Sequence, residues 1–365
     1  MTKKRKARLL LAGLFLLLLM LALALLWVRQ HNTPRKLETF AMGAYVQQTV
    51  WGPGNGPATE EAAAAVAALE NSISWRREGD IAGLNAQAGL QPTTLSPETY
   101  DLLETALSLC EKSGGAFDVT IGPVSRLWEF DSNPHLPQEE ALSAALALVD
   151  YNKLLLGEDA GMAFLPVDKA LFDGRIPPYA AALAGEGMAV DLGAIGKGAA
   201  CDTAIAVYQD TGVKAAVITV GGSVGLWGQK PDGKPFRVSV RNPEGGGSLG
   251  VLELSGGFVS TSGSYEKFFE QDGQTYCHLL DPRTGYPAQS GLVSVTVWAD
   301  SGALSDGLAT ACFVLGLQDS LPLLEAYGAQ AVFVDEAGTV TVTPGWYRQF
   351  TLTALAYTLT EAAYG

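Results

Sequence analysis

Apolar and polar positions divide the chain into two unequal parts. Residues 9–28 form an unbroken apolar run, preceded by Lys3, Lys4, Arg5, Lys6 and Arg8 and closed by Arg29. At about 1.5 Å of rise per residue, a helix of that length spans about 30 Å, the thickness of a bilayer's hydrocarbon core. A cleaved signal peptide would have an apolar region of about 7–15 residues ending at a small-x-small site. Ala22 and Ala24 lie too deep in the run for that, and no Cys follows it to carry a lipid. The pattern therefore predicts an uncleaved single-pass anchor in residues 1–30. The positive-inside rule keeps the basic stub in the cytoplasm, so the rest of the chain is expected at the cell membrane on its extracytoplasmic side.

Residues 31–36 read as a polar linker and 37–365 as the folded domain. A strand is predicted at 44–50, followed by the turn-forming cluster Gly52-Pro-Gly-Asn-Gly-Pro57. Thr59 is expected to cap a helix that runs to Leu69, with Glu60 and Glu61 in its first turn. Further amphipathic helices are predicted at 96–113, where Pro97 takes the position proline favours at a helix start, and at 137–148. From Val213 onward the period shortens to two. Strands are predicted at 215–220, 236–240, 250–254, 258–261, 276–280 and 292–299. Helices follow at 306–315 and 320–327, then a closing hairpin of 331–334 with 339–342. The fold expected is mixed α+β on a largely antiparallel sheet. Residues 157–186 carry no clear periodicity and read as a long loop or insertion.

Charge narrows the partners. The chain holds 24 Lys and Arg against 38 Asp and Glu; without the six basic residues of the N-terminal segment, 18 remain, for a formal net charge of −20. Nucleic acid is not expected as a partner of so acidic a domain. Cys110, Cys201, Cys277 and Cys312 are scattered with no C-x-x-C pair, which signals neither a disulfide framework nor a structural zinc site and leaves buried free thiols as the plain expectation.

Four segments carry candidate chemistry. In Gly114-Gly-Ala-Phe-Asp-Val-Thr-Ile-Gly-Pro123, residues 116–118 are expected on extended backbone, and Asp118 by itself reads as a local turn or cap carboxylate. In Asp191-Leu-Gly-Ala-Ile-Gly-Lys-Gly-Ala-Ala-Cys-Asp202, glycines precede an Ala-rich helix whose N-terminus attracts anions, with Lys197 among them. Asp191 and Gly198 break the Walker A spacing, so either a phosphate-friendly loop of another kind or glycines serving helix packing is expected. Thr261-Ser-Gly-Ser-Tyr-Glu266 is followed by His278 and Asp281-Pro-Arg-Thr-Gly285. A lone His is usually structural, but His278 stands near a predicted strand end and three residues before Asp281, a setting for a general acid/base. Asp306 and Thr310, at i and i+4, offer two hard oxygens on one helix face, which suits Mg²⁺. The competing reading has Ser305 and Asp306 capping the helix with Thr310 as filler.

The order of these segments resembles the ApbE family of FAD:protein FMN transferases across nearly all of the domain. Met42-Gly43, Phe117 to Pro123 with Leu127-Trp128, Asp191 to Gly198 with Asp202, Ser262 to Glu266 with His278 and Asp281 to Gly285, and Asp306 to Thr310 match in sequence. The resemblance implies a T-fold-type α+β domain. It implies flavin or FAD contacts at Met42, Trp75, Ala116, Phe117, Asp118, Asp191, Lys197 and Leu280. It places Mg²⁺ on the main-chain oxygen of Ala194 and the side chains of Asp306 and Thr310, with His278 and Lys197 as catalytic residues. FAD would be substrate, and the partner an acceptor flavoprotein modified on a Thr or Ser hydroxyl. Gly221-Gly-Ser223 and Ala309 depart from acidic or amide residues found in other members. The same residues would serve an FAD pyrophosphatase, and a non-catalytic FAD-binding protein is the reading from another class.

Overall fold

The structure, a computed structural model, describes residues 11, 13–22, 33–157, 159–160 and 179–363. The apolar run 9–28 lies only in part among them. Its residues 13–22 are helical, with Leu14, Phe15 and Leu16 exposed. Among the described residues no helix is long and apolar enough to cross a membrane. Most of the 157–186 segment, residues 161–178, also lies outside the described residues.

The first half of the domain contains β1 (Arg35–Ala41), β2 (Ala44–Trp51), α1 (Asn55–Ile73), α2 (Asp80–Ala86), β3 (Thr93–Thr94), α3 (Pro97–Lys112), α4 (Gly122–Trp128), α5 (Glu139–Leu146), β4 (Leu154–Leu156), β5 (Ala180–Leu183) and α6 (Gly196–Asp210). There follow β6 (Ala215–Val220), β7 (Ser223–Gly228), β8 (Phe236–Arg241), β9 (Ser248–Leu254), β10 (Gly257–Gly263), β11 (Phe268–Gln271), β12 (Gln274–Cys277) and β13 (Leu292–Ala299). The chain ends with α7 (Gly302–Leu315), α8 (Leu317–Ala326), β14 (Gln330–Asp335), β15 (Thr339–Val342), α9 (Pro344–Tyr347), β16 (Phe350–Leu352) and β17 (Thr358–Glu361).

A nine-stranded sheet in the order β1-β2-β6-β7-β10-β13-β14-β15-β17 forms the frame. Its pairings are antiparallel except for β15 with β17. Period-two alternation sorts the side chains to the two faces. On β14, Ala331 and Phe333 join the core shared with α1, α6 and α7, while Val332 and Val334 join a second core under β8, β9 and β16. Both faces are covered, which is why β14 reads as a continuous apolar run.

Several boundaries differ from the sequence expectation. The helix expected to start at Thr59 begins at Asn55 behind Gly54, which is left-handed at φ 73. Thr59 lies one turn inside and donates to the Gly56 carbonyl at 2.7 Å, so it caps nothing, and Glu60 and Glu61 fall outside the first turn. The segment read as a linker already contains the start of β1, which reaches β2 through the tight turn at Met42 (φ 54) and Gly43 (φ 66). Residues 180–183, within the supposed loop, form β5 between β3 and β4. This strand is buried at every position and mostly alanine, so it shows neither alternation nor β-branched side chains. Residues 116 and 117 bend rather than extend. The strand expected at 276–280 stops at Cys277, because the turn at Asp281–Gly285 and its proline follow at once. All four cysteines are buried and free.

Candidate functional site

The site is built around the crossing of α6 and α7. Gly198 and Gly302 face each other there: a Cβ on Gly198 would stand 1.9 Å from the Gly302 carbonyl oxygen, and one on Gly302 would stand 2.3 Å from that of Gly198. Only hydrogen at both positions lets the helices approach this closely. Asp202, one turn further along α6, then reaches the start of α7. It accepts from the Gly302 and Ala303 amides at 2.7 and 2.8 Å and from the Ser301 hydroxyl at 3.0 Å. Ser301 is the N-cap residue, so α7 begins four residues before Asp306.

That earlier start removes the capping reading of Asp306. It is not a cap; it lies in the second turn, 2% exposed, facing α6. Its carboxylate accepts from the Gly198 amide at 2.9 Å and the Ser223 hydroxyl at 3.2 Å, with the Lys197 ammonium at 3.9 Å. Ser305 instead donates to the Val297 carbonyl at 3.0 Å. Thr310, one turn on, shares a 3.1 Å hydrogen bond with Ser262 of β10. The departure at Ser223 thus supplies a hydroxyl that orients Asp306, and the departure at Ala309 is buried in the core.

The glycine loop before α6 behaves differently from an amide cradle. The Gly193 amide donates to Asp191 at 2.9 Å, that of Gly196 to the Leu192 carbonyl at 2.8 Å, and that of Gly198 to Asp306. These donors are already spent within the protein, and anion attraction falls mainly on Lys197, which also reaches the Gly193 carbonyl at 3.4 Å. Ala194 sits in the same turn, half-buried. Asp191 is fixed from the other side by the Ser125 hydroxyl at 2.7 Å, and Asn85 clamps the preceding residue by two hydrogen bonds to Val190.

Around this centre the other candidates separate into two groups. Ala44, the residue after the Met42-Gly43 turn, and Lys197 both approach Gly221, where a Cβ would stand 3.2 Å from Ala44 Cβ and 3.4 Å from Lys197 Cδ. Glu266, which ends the Thr261–Glu266 segment, lies within electrostatic reach of Lys197 and Asp306. Its carboxyl is pushed above the ordinary range by burial and by Asp306, against the pull of Lys197 and Arg241. His278 follows β12, and its backbone N–H and Nδ1 lie 3.0 and 3.2 Å from the Lys267 carbonyl. Burial above all, then Lys197 and Lys267, lowers its pKa to about 4. Trp75 is half-buried with the Arg76 and Arg126 guanidinium carbons 4.3 and 4.6 Å from its ring centroid.

The second group is buried. Ala116 is fully buried, and Phe117 packs at Gly307 between Asp306 and Thr310. Asp118 accepts from the Thr120 amide and hydroxyl at 2.7 and 2.6 Å and from the Tyr151 amide at 3.1 Å, the turn role read from its own segment. Burial raises its carboxyl in spite of the Thr120 bonds. The Leu280 side chain is buried in a satellite core with Val124, Trp128 and Leu142. Burial pushes the Cys110 and Cys312 thiols up to about 12 and raises Cys201 well above its usual value, so none of these three is a thiolate near neutral pH. A groove of about 340 Å³ beside Ile205, Trp227, Phe258 and Asp300 touches the candidate motifs only at Asp202.

The Lys197 ammonium lies beside the buried Asp306 carboxylate, with the Thr310 hydroxyl one turn on along the same helix and the His278 imidazole within electrostatic reach of Lys197. The chain belongs to the ApbE family, whose model matches residues 42–333. It is 36% identical over 272 residues to the FAD:protein FMN transferase of Treponema pallidum, covering 71% of each chain. To that of Salmonella typhimurium it is 30% identical over 270 residues, covering 73% of each. Among solved structures, the ApbE protein of Thermotoga maritima superposes with a TM-score of 0.74 at 28% identity, over 84% of this chain and 96% of that one. The apo flavinyl transferase ApbE of Pseudomonas stutzeri gives 0.73 at 29%, over 88% and 98%.

Proposed function

We propose that the chain is an FAD:protein FMN transferase that moves the FMN half of FAD onto a Thr or Ser hydroxyl of an acceptor flavoprotein and releases AMP. The observation that carries this reading is the pairing of Lys197 with the buried Asp306, with Thr310 one turn on along the same helix and His278 within electrostatic reach of Lys197. The acceptor oxygen attacks the FMN phosphorus, the bond from that phosphorus to the bridging oxygen breaks, and AMP leaves with the bridging oxygen. Nδ1 of His278 faces a carbonyl, which only accepts, so Nδ1 carries the hydrogen and Nε2 is left to take the acceptor proton. A pKa of about 4 keeps that nitrogen unprotonated at neutral pH. Lys197 neutralises the pyrophosphate, and the tightly packed α6 and α7 hold the charges in place beforehand.

Mg²⁺ fits the donor set: Asp306 supplies a buried carboxylate, Thr310 a hydroxyl on the same helix face, and Ala194 a main-chain oxygen in the turn beside Lys197. Glu266 close by adds a second carboxyl whose burial is costly without a cation. When bound there, Mg²⁺ would supply charge neutralisation at the transferring phosphate. Residues 9–28 with their basic flank support a membrane anchor, and hence an extracytoplasmic acceptor at the cell membrane.

Incubating the full-length chain in detergent with FAD, Mg²⁺ and a candidate acceptor domain tests the reading. An FMN-sized gain in acceptor mass with matching AMP, lost on adding EDTA, is the expected result. AMP and FMN with the acceptors tested left unmodified would instead mark a pyrophosphatase, and retained FAD with no AMP a binding protein.

A further inference from the structure

Three segments far apart in sequence meet at one carboxylate on the rim of the site. Asp131 binds the Arg76 guanidinium at 2.7 Å and the Lys267 ammonium at 2.6 Å. Arg76 carries the guanidinium stacked on Trp75, and the Lys267 carbonyl holds both the amide and Nδ1 of His278. The neighbouring Phe130 lies 5.7 Å from Trp128 and from Phe269, and edge-on to His278 at 6.4 Å between ring centroids. Asp131 is therefore one residue removed from the aromatic on one side of the site and one residue removed from the imidazole on the other.

We propose that Asp131 is a positioning residue that fixes the Trp75 indole and the His278 imidazole relative to one another. The inference rests on the transferase reading. All three partners of this ion-pair network are about half exposed, and exposed pairs add little to global stability. What the network contributes is geometry, and small displacements of reacting groups cost rate steeply. Burial by itself would raise the Asp131 carboxyl; hydrogen bonds from Lys267 and Arg76 outweigh it and hold the group charged. The charged groups that bear on His278 are Lys197 and Lys267, which disfavour its protonation, and Asp131, which favours it.

The test compares full-length wild type, Asp131→Asn and Asp131→Glu in detergent. Melting temperature, FAD affinity from flavin fluorescence, and kcat and KM for acceptor modification across pH are measured. Asp131→Asn should keep a near-native melting temperature while kcat/KM falls about 10-fold or more. Its FAD affinity should weaken, and the acid limb of its profile should move to lower pH, because Lys267 has lost its counter-charge. Asp131→Glu should restore most of the rate and the limb. Wild-type rate, affinity and pH profile in Asp131→Asn would overturn the proposal, as would a rate loss that only tracks a lowered melting temperature. Should wild type bind FAD without modifying any acceptor, the transferase reading fails first. The FAD affinities then decide alone: a weaker Asp131→Asn upholds the clamp and an equal one sinks it.

Discussion

The α6–α7 seam and the His278 rim are held by different physics. At the seam, backbone lies against backbone through Gly198 and Gly302, and Asp306 is buried with its oxygens oriented by an amide and a hydroxyl. At the rim, loops and a short hairpin are tied by half-exposed ion pairs at Asp131 and by aromatic contacts around Trp128. On the proposed reading, the seam presets charge where a phosphate would be stabilised. The rim would then carry the groups that meet FAD and the acceptor protein, and would have to admit both. Rigidity suits the first task and adjustable loops the second.

The comparison breaks most visibly at Asp306. Replacing it with Ala leaves the Gly198 amide and the Lys197 ammonium without their partner and removes the one buried carboxylate of the seam. A loss of about 10³-fold in FMN transfer is expected, of the size seen when a preorganised charge-stabilising group is removed. Single-turnover acceptor modification followed by intact mass measures it. A variant that keeps more than a tenth of the rate would mean that the seam is a packing device and that the chemistry lies at the rim.

Next in size is Gly198→Ala. Its methyl group meets the Gly302 carbonyl at 1.9 Å and Asp306 Cβ at 2.7 Å, and neither neighbour is the flexible end of a side chain. Overpacking against backbone should lower unfolding stability by about 3 kcal/mol, read from urea or thermal denaturation. Asp202 should lose its hold on the start of α7 at the same time. A change under about 1 kcal/mol would show the crossing to be looser than its geometry.

The two regions were also unequally legible from sequence. At the seam, short-range pattern carried the signal: Asp306 and Thr310 share a helix face, and Gly196, Lys197 and Gly198 open the helix that meets it. Even there the helix start was misplaced, because its cap depends on Asp202, about a hundred residues away. The purpose of the glycines was settled only by seeing their amides paired internally. At the rim almost nothing was legible beyond His278. Asp131, Lys267 and Arg76 are ordinary surface charges in sequence, and they become a network only when three loops converge. Strand β5 escaped notice because full burial erases alternation, and β17 because it pairs in parallel with β15 at the far edge of the sheet. Pattern reports what an element needs locally; it is silent where a partner from elsewhere supplies the need.

The smallest expected effect sharpens the contrast at the rim itself. With His278 lowered to about 4 by burial and by Lys197 and Lys267, its Nε2 is unprotonated throughout the neutral range. Protonation removes the base, so the rate should fall as pH drops through that value and not before. The kcat/KM profile, which reports the free enzyme, should therefore be nearly flat between pH 6 and 8 and bend downward near pH 4. Bound FAD brings a pyrophosphate beside Lys197 and offsets one of the charges that disfavour the imidazolium. The limb in kcat should accordingly lie at higher pH than the limb in kcat/KM. A limb in kcat/KM at the ordinary histidine value of about 6.5 would mean that His278 is solvated before FAD arrives. The rim would then be assembled by substrate, whereas a limb near 4 means that both halves of the site are formed before either substrate binds.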